Sequence, residues 1–569
     1  MTTLFVIIGY LCLLLALGFF SNRLFRGTSK DYFVASHSIG PFLLLMSVFG
    51  TTMTAFALVG STGKSFERGI GTYGLMASIS GLVHAAIFFL IGIRLWAFGK
   101  KHGFITQIQF FRARFESDSI GYLLFPILVL LVIPYLLIGI IGAGKTIEPV
   151  TAGAFPELFT NPTAPQWLGG VPPWLTGLVV SLVVLSYVFM GGSRGAAFAN
   201  TFQTIVFMIM GLVAFTFIIN ALGGINNAGK VPARINEKGL IVQDYHFDKK
   251  SEQLKENLPP KTIGRVVGSE KSNLTNQQPH FWRKPVNAEF KKKNAKTGEL
   301  VSFERELGIP FVTFVTYLFI PLSVGMFPHL FQHWLTARSA KSFRLTVIAH
   351  PLCIMIVWVP CVLVGAWASG VLPPGIPPPA VLSAMLNLLV GDPVLIGLLT
   401  AGVLAAIMSS LDSQFLCLGT IFTNDIVIHR SGPDKYSDKQ IIFIARCFIV
   451  AIVALTYGLA MLAKNANVFD LAIWCFSGFS ALFPVIFAAL YWKRTTKQGG
   501  IASIIAALLT WLYYFHESGY GGEYMVGPGI VPAAICFGAS AVVLVIVSLL
   551  TEPPSKETLD KFFPKKSEL

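Results

Sequence analysis

Charge is what this 569-residue sequence has least of: 12% of its residues are Asp, Glu, Lys or Arg, about half the roughly 25% usual in soluble domains. That shortage excludes a cytosolic enzyme and a disordered chain, both of which depend on a well-hydrated charged surface. Cysteine is also sparse. The seven (Cys12, Cys353, Cys361, Cys417, Cys447, Cys475 and Cys536) all fall inside apolar runs. None has metal-ligand spacing and no disulfide framework is suggested, so they read as small core residues. No nucleotide motif occurs and no covalent chemistry is implied, which speaks against a primary pump or an enzyme. The first apolar run lacks a basic flank and a small-residue cleavage pattern, so it is expected to be a retained helix and not a signal peptide.

Apolar residues make up 54% of the chain, 48 of them phenylalanine, and runs of 18 to 25 residues recur along its length. About 20 residues at 1.5 Å rise cross the hydrocarbon core, so these runs predict membrane spans. The expected fold is all-α and integral to the membrane. Thirteen helices, α1–α13, are expected near 3–21, 41–63, 73–98, 119–143, 174–190, 197–221, 308–334, 345–370, 394–428, 441–463, 469–492, 499–516 and 529–550. The ninth run exceeds a simple span, so its inner end is expected to project from the membrane.

The net charge of +15 invites a nucleic-acid reading, but no aromatic-interleaved basic face supports one. The charge is instead a topology signal. Alternate short loops and the C-terminal tail hold 21 Lys and Arg, and the opposite short loops hold four: Lys64, Arg68, Lys145 and Lys464. The positive-inside rule then places the N-terminus outside and the C-terminus in the cytoplasm, in the plasma (inner) membrane of the cell. Two more, Arg94 and Arg446, lie within helices, and 16 belong to a polar insert at 222–307 beside 10 acidic residues. Long loops translocate whatever their charge, so the insert is assigned to the outside. A mobile decorated loop is its simpler reading, and a small subdomain around Gly239-Leu240-Ile241-Val242 the other. The chain thus divides into an N-terminal helix and linker (1–40), a first repeat (41–221), the insert, a second repeat (308–492), two C-terminal helices (493–550) and a tail (551–569).

Polar residues at mid-bilayer cost roughly 2.5–3.5 kcal/mol each on insertion scales, so each needs a reason. The densest group is Ala406-Ile407-Met408-Ser409-Ser410-Leu411-Asp412-Ser413-Gln414 in α9. Ser409, Asp412 and Ser413 stand at i, i+3 and i+4 and share a helical face. Converging hydroxyl and carboxylate oxygens suit a hard monovalent cation. Small-residue helix packing explains the serines but explains Asp412 poorly. In α2, Gly50-Thr51-Thr52-Met53-Thr54 interrupts an apolar span. In α7, Pro321-Leu322-Ser323-Val324-Gly325 followed by Pro328-His329 does the same. Unwound backbone at that depth is tolerated only where it lines a cavity. Each interruption opens a block of five helices entering from opposite sides, the spacing of a five-plus-five inverted repeat with broken helices.

With these residues in view, the chain resembles the sodium:solute symporter family, whose fold is shared with the bacterial leucine transporter. The matching elements are the α9 tract, Phe422-Thr423-Asn424-Asp425-Ile426, Gly191-Gly192 with Gln203, Gly60-Ser61-Thr62-Gly63, the Gly103 to Arg114 stretch and Pro328-His329. The resemblance implies a principal sodium site of Gly50, Met53 and Ala406 carbonyls with Ser409 and Ser410 hydroxyls. It also implies, in some members, a further cation site that uses an aspartate on α6. Here the usual Trp-Thr-Asp reads Phe198-Ala199-Asn200, while Asp412 stands at a hydroxyl position of α9. The acid is therefore expected to have moved across the site, giving a possible second cation site of Asp412, Ser413 and Asn200. In the other reading only one sodium is used and Asp412 partners a proton or a substrate amine.

The resemblance lines the central cavity with α2 and α7, making Thr52, Thr54, Phe56 and Ser323 the substrate candidates. His84 in α3 is a weaker candidate. His329 and His333 read as structural, Asp425 as locally paired, and Trp474 and Phe476 as core. The expected function is sodium-coupled import of a small organic solute by alternating access. By the same resemblance, the proline, pantothenate and short-carboxylate branches are nearer than the sugar branch. A membrane sensor using the transporter fold is the alternative, disfavoured by a 19-residue tail that leaves no room for a signalling domain. Sodium, a small solute and the lipid bilayer are the expected partners.

Overall fold

Among the residues described by the computed structural model, ten helices are long and apolar enough to cross a bilayer, and two bent helix pairs bring the number to 12. Those residues are 1–23, 27–159, 167, 169–228, 234–235, 241–243, 245–248, 253–256, 286–293, 300–369, 372, 376–432, 435–463 and 466–563. Most of the insert lies outside them, as do Arg26, Lys464, Lys565 and Lys566 of the charge count.

The expected thirteenth span turns on one glycine. Pro173–Ala221 is recorded as a single 49-residue helix, which as a straight rod would be about 74 Å long, over twice the roughly 30 Å hydrocarbon core. Gly192 interrupts it with φ 54° and ψ −147°. A Cβ there would stand 2.7 Å from the carbonyl oxygen of Tyr32, so only glycine fits this corner. The two arms, 173–191 and 193–221, are treated as α5 and α6.

The other spans follow the apolar runs. They are α1 Thr2–Asn22, α3 from Gly71 to His102, α4 Asp118–Val150, α8 Phe343–Ala368, α9 Pro393–Ser431, α10 Asp438–Leu462, α11 Val468–Tyr491, α12 Lys497–Glu517 and α13 Pro532–Leu550. The bent pairs are α2, Pro41–Thr52 with Phe56–Arg68 at 54°, and α7, Phe311–Gly325 with Pro328–Thr336 at 51°. In α7 the second arm starts at Pro328, which lacks the N–H that a first turn leaves unused.

α9 lies at the centre. Its most apolar stretch is 83% buried, as is that of α11, against 33% for α1 and 28% for α13, because its small and polar residues pack against neighbouring helices while the all-apolar outer helices can face lipid. The peripheral helices expose Phe5, Leu82, Phe443 and Leu549, the faces that lipid covers. Every large described segment is helical except the insert, which contributes β1 Arg234–Ile235, β2 Ile241–Gln243, β3 Tyr245–Asp248, β4 Gln253–Glu256, β5 Val286–Lys293 and β6 Leu300–Leu307. These form a four-stranded sheet ordered β1-β2-β5-β6 and a separate β3-β4 hairpin. The β5–β6 register runs antiparallel from Val286↔Leu307 to Lys293↔Leu300. For these stretches the mobile-loop expectation gives way to a small sheet, since paired strands satisfy backbone groups that a loop leaves to water.

Candidate functional site

The site begins where α2 stops. Thr52 ends the first arm and its hydroxyl donates to the Phe49 carbonyl at 2.9 Å. Met53 is extended (φ −89°, ψ 93°), and the Thr54 hydroxyl accepts the Phe56 N–H at 3.0 Å, capping the second arm. The turn before the break carries Gly50, and a Cβ there would lie 2.3 Å from Thr204 Oγ1 on α6. The missing side chain lets α2, α6 and α9 meet.

Across that contact the Ser409 hydroxyl lies 2.8 Å from the Gly50 carbonyl oxygen and 2.9 Å from that of Ala406. Three of the five expected sodium ligands are therefore gathered. Met53 stands at the break itself, and the Ser410 hydroxyl is turned onto its own helix, donating to Ile407 at 2.9 Å.

One turn further along α9 is a buried polar network. Ser413 Oγ donates to Asp412 Oδ1 at 2.9 Å, and Tyr187 of α5 donates to Asp412 Oδ2 at 3.1 Å. Asn200, with its amide nitrogen toward the carboxylate, donates to Oδ1 at 3.0 Å and Oδ2 at 2.8 Å, and its oxygen lies 2.9 Å from Ser413 Oγ. The opposite amide orientation would aim oxygen at oxygen, so hydrogen bonding fixes the choice. Thr51 Oγ1 is 2.7 Å from Ser413 Oγ. Asp412 is 0% exposed, and among the described residues no Lys or Arg pairs with it. A buried carboxylate with hydrogen-bond donors but no counter-charge is stabilised by a cation or a proton.

His333, read from the sequence as structural, joins this network. Its Nε2 is 2.9 Å from Ser413 Oγ and 3.2 Å from Thr51 Oγ1. No local pattern marks it, because 80 residues separate it from Ser413. His84 faces another imidazole, with Nδ1 3.2 Å from His350 Nε2. Phe56 packs on Phe469 and Phe476, each with ring centroids at 5.1 Å. Ser323 is buried in the 3₁₀ segment Ile320–Gly325. Trp474 donates to the Gly522 carbonyl at 2.8 Å.

Ion pairs close both ends of the bundle. At the Arg68 end, Lys64 lies 3.3 Å from Asp470 and 2.9 Å from Glu523, and Arg68 lies 2.8 Å from Glu523. They border a cavity of about 340 Å³ also lined by Tyr317, Trp474 and Tyr524. Burial pushes the Glu523 carboxyl up, but Lys64 and Arg68 outweigh it and hold the group down at about 2. At the other end Arg112, on a short helix Gln107–Phe115, donates to Asp425 Oδ1 at 3.2 Å and to the Asp425 carbonyl at 2.9 Å. The local pairing expected for Asp425 is not what forms: its partner lies 313 residues away, because the fold brings Gln107–Phe115 against the end of α9. Its neighbour His429 contacts Asp118 at 3.0 Å instead.

The chain matches known proteins along most of its length. A family model described as sodium:solute symporter family matches residues 32–154 and 170–507. A sodium/proline symporter of Staphylococcus aureus (strain JH9) is 22% identical over 571 residues, covering 97% of this chain and 93% of that protein. The fold matches a solved Na⁺-coupled sialic acid symporter in a substrate-bound outward-open state, with TM-score 0.66 and 16% identity over 98% of this chain and 99% of that one.

Proposed function

The chain belongs to the sodium:solute symporter family and is a sodium-coupled transporter that imports a small organic solute; we propose that it works by alternating access around the α2–α9 contact. The observation that carries this reading is Ser409 Oγ, placed 2.8 Å from the Gly50 carbonyl and 2.9 Å from that of Ala406. Sodium held by Gly50, Met53, Ala406, Ser409 and Ser410 bridges the broken helix to the central one. Three carbonyl dipoles and two hydroxyls replace a hydration shell without burying a second charge. Ser410 joins when its hydroxyl leaves the Ile407 carbonyl, a rotamer change well within thermal reach.

Asp412, Ser413 and Asn200 form the second cation site. The carboxylate missing from α6 is supplied by α9, and Asn200 faces it. The substrate lies where the breaks of α2 and α7 approach each other, bordered by Thr52, Thr54, Phe56 and Ser323. Sodium binding orders the α2 break and raises solute affinity, and by linkage the solute raises sodium affinity by the same factor. The N-terminus faces outside and the C-terminus the cytoplasm, across the plasma membrane. An amino acid or short carboxylate is the favoured solute.

Uptake into proteoliposomes, with and without an imposed inward sodium gradient, tests the reading. Gradient-driven accumulation identifies a coupled carrier. Solute binding without flux identifies a sensor, and downhill flux indifferent to sodium identifies a channel. The solutes to try come from a thermal-shift screen of amino acids, monocarboxylates, sugars and vitamins, each in sodium and in potassium.

A further inference from the structure

After its last span the chain turns back onto the Arg112 end of the bundle. Arg494 donates to the Leu549 and Thr551 carbonyls, and the Thr551 and Thr496 hydroxyls lie 2.7 Å apart. The end of α13 is thereby tied to the turn between α11 and α12. Pro553 and Pro554 stiffen the link to a short tail helix, Lys556–Phe562, because each fixes its own φ. Ser555 caps that helix, its hydroxyl accepting the Thr558 N–H at 3.1 Å.

A terminal segment frays unless something ties it down, and here two contacts do. Phe562 is 4% exposed, with its ring centroid 5.2 Å from Phe98, 5.7 Å from Phe110 and 6.0 Å from His102. The Ser555 and Thr558 hydroxyls both donate to one oxygen of the Glu116 carboxylate. These contacts fall on three successive pieces of chain: the end of α3, the helix Gln107–Phe115 and the turn into α4.

The middle piece also reaches three spans. Gln107 donates to the Met326 carbonyl at the α7 break at 3.3 Å, and Arg112 pairs with Asp425 of α9. Arg114 donates to the Ala489 and Trp492 carbonyls at the end of α11, at 2.8 and 3.3 Å. Asp425 is 0% exposed, so this end of the bundle is shut to water. To open it, Gln107–Phe115 must part from α7 and α9. That movement changes the spacing of Phe110 and Phe98, and the Phe562 ring between them loses its burial, an apolar cost that opposes opening.

We propose that the tail helix is an autoinhibitory strap, docked while this end is closed and released when it opens, which limits how often the carrier opens there. The family model stops at residue 507, so the strap lies outside the residues it matches. The proposal rests on the alternating-access reading above, which needs this end to open once in each cycle.

N-ethylmaleimide labelling of Ile421→Cys tests it, in the full-length chain in proteoliposomes with the exposed Cys12 and Cys447 replaced by Ser. Ile421 is 2% exposed and lies one turn from Asp425 on the same face of α9, so its thiol reacts only when this end opens. The parent without Ile421→Cys gives the background. In sodium-free potassium buffer, Phe562→Ala and deletion of residues 555–569 should each raise the labelling rate at least threefold. Glu116→Gln, which keeps one acceptor oxygen, should raise it less, and Asp560→Ala, on the exposed side of the tail helix, should leave it unchanged. Sodium should still stabilise each variant against heat, which shows that they fold. Labelling at the parent rate in both Phe562→Ala and the deletion overturns the strap, as does equal acceleration by Asp560→Ala. If the tail variants label faster but the intact chain shows no sodium-driven uptake, the strap stands and the coupling reading falls.

Discussion

The hydroxyl of Ser409 and the carbonyl of Gly50 meet at 2.8 Å across the interface of α9 and α2. Their positions are 359 residues apart in the chain, and the contact falls on the last turn before α2 breaks. A small cation there would hold both helices, the link between ion binding and helix movement that the proposed alternating-access cycle requires.

Replacing Ser409 by Ala removes one oxygen from that group while leaving an excellent helix former. Half-saturating sodium should rise at least tenfold in uptake assays, with a loss of fold stability near the 0.5–1.5 kcal/mol of a single hydrogen bond. Ser410→Ala should raise it less, since that hydroxyl also serves its own helix. Unchanged sodium dependence in both variants would falsify the assignment.

Gly50 is a packing requirement as well as a proposed ligand position. The Cβ of Gly50→Ala would stand 2.3 Å from Thr204 Oγ1, an overpacking that costs on the order of 1–3 kcal/mol. The melting temperature should drop, and Gly50→Ala with Thr204→Ala should regain most of the loss. A double variant no better than the single one would mean that Thr204 is not the obstacle.

Asp412 is a buried carboxylate without a basic partner among the described residues. Asp412→Asn removes that charge, so the sodium-free protein should become more thermostable while the stabilisation by added sodium shrinks. The Hill slope for sodium should fall as well. If slope and sodium-induced shift both stay at wild-type values, the second cation site is not there.

The pairs of Glu523 with Lys64 and Arg68 give a pH prediction whose sign is fixed. The carboxyl is held at about 2, below its ordinary 4.5. A depressed acid adds stability above the ordinary value and loses it as pH falls through the folded one. Thermal stability in detergent should therefore be insensitive to this group at neutral pH and decline between about 4.5 and 2. Glu523→Gln should flatten that part of the profile. An equally steep decline in the variant would assign the acid sensitivity to other groups.

Several features were legible in the sequence because they are local. Hydropathy alone marks the spans, since backbone in lipid must bond within its own helix. The α2 and α7 interruptions announce themselves as Gly, Thr and Pro inside apolar runs. The i, i+3, i+4 spacing already places Ser409, Asp412 and Ser413 on one face. Gly192 was visible as a glycine, but its turn against Tyr32 was not.

The amino-acid sequence by itself determined the membrane class, the approximate spans, the interruptions of α2 and α7 and the polar face of α9, because each depends on residues within a few turns of one another. Only the tertiary structure decided which distant groups meet. It placed His333 on Ser413, Arg112 on Asp425 and Lys64 between Asp470 and Glu523. It also left the side chains of His329 and Gln414 without hydrogen-bond partners among the described residues. Such pairings depend on how helices cross and rotate against each other, and packing of the whole bundle sets that geometry.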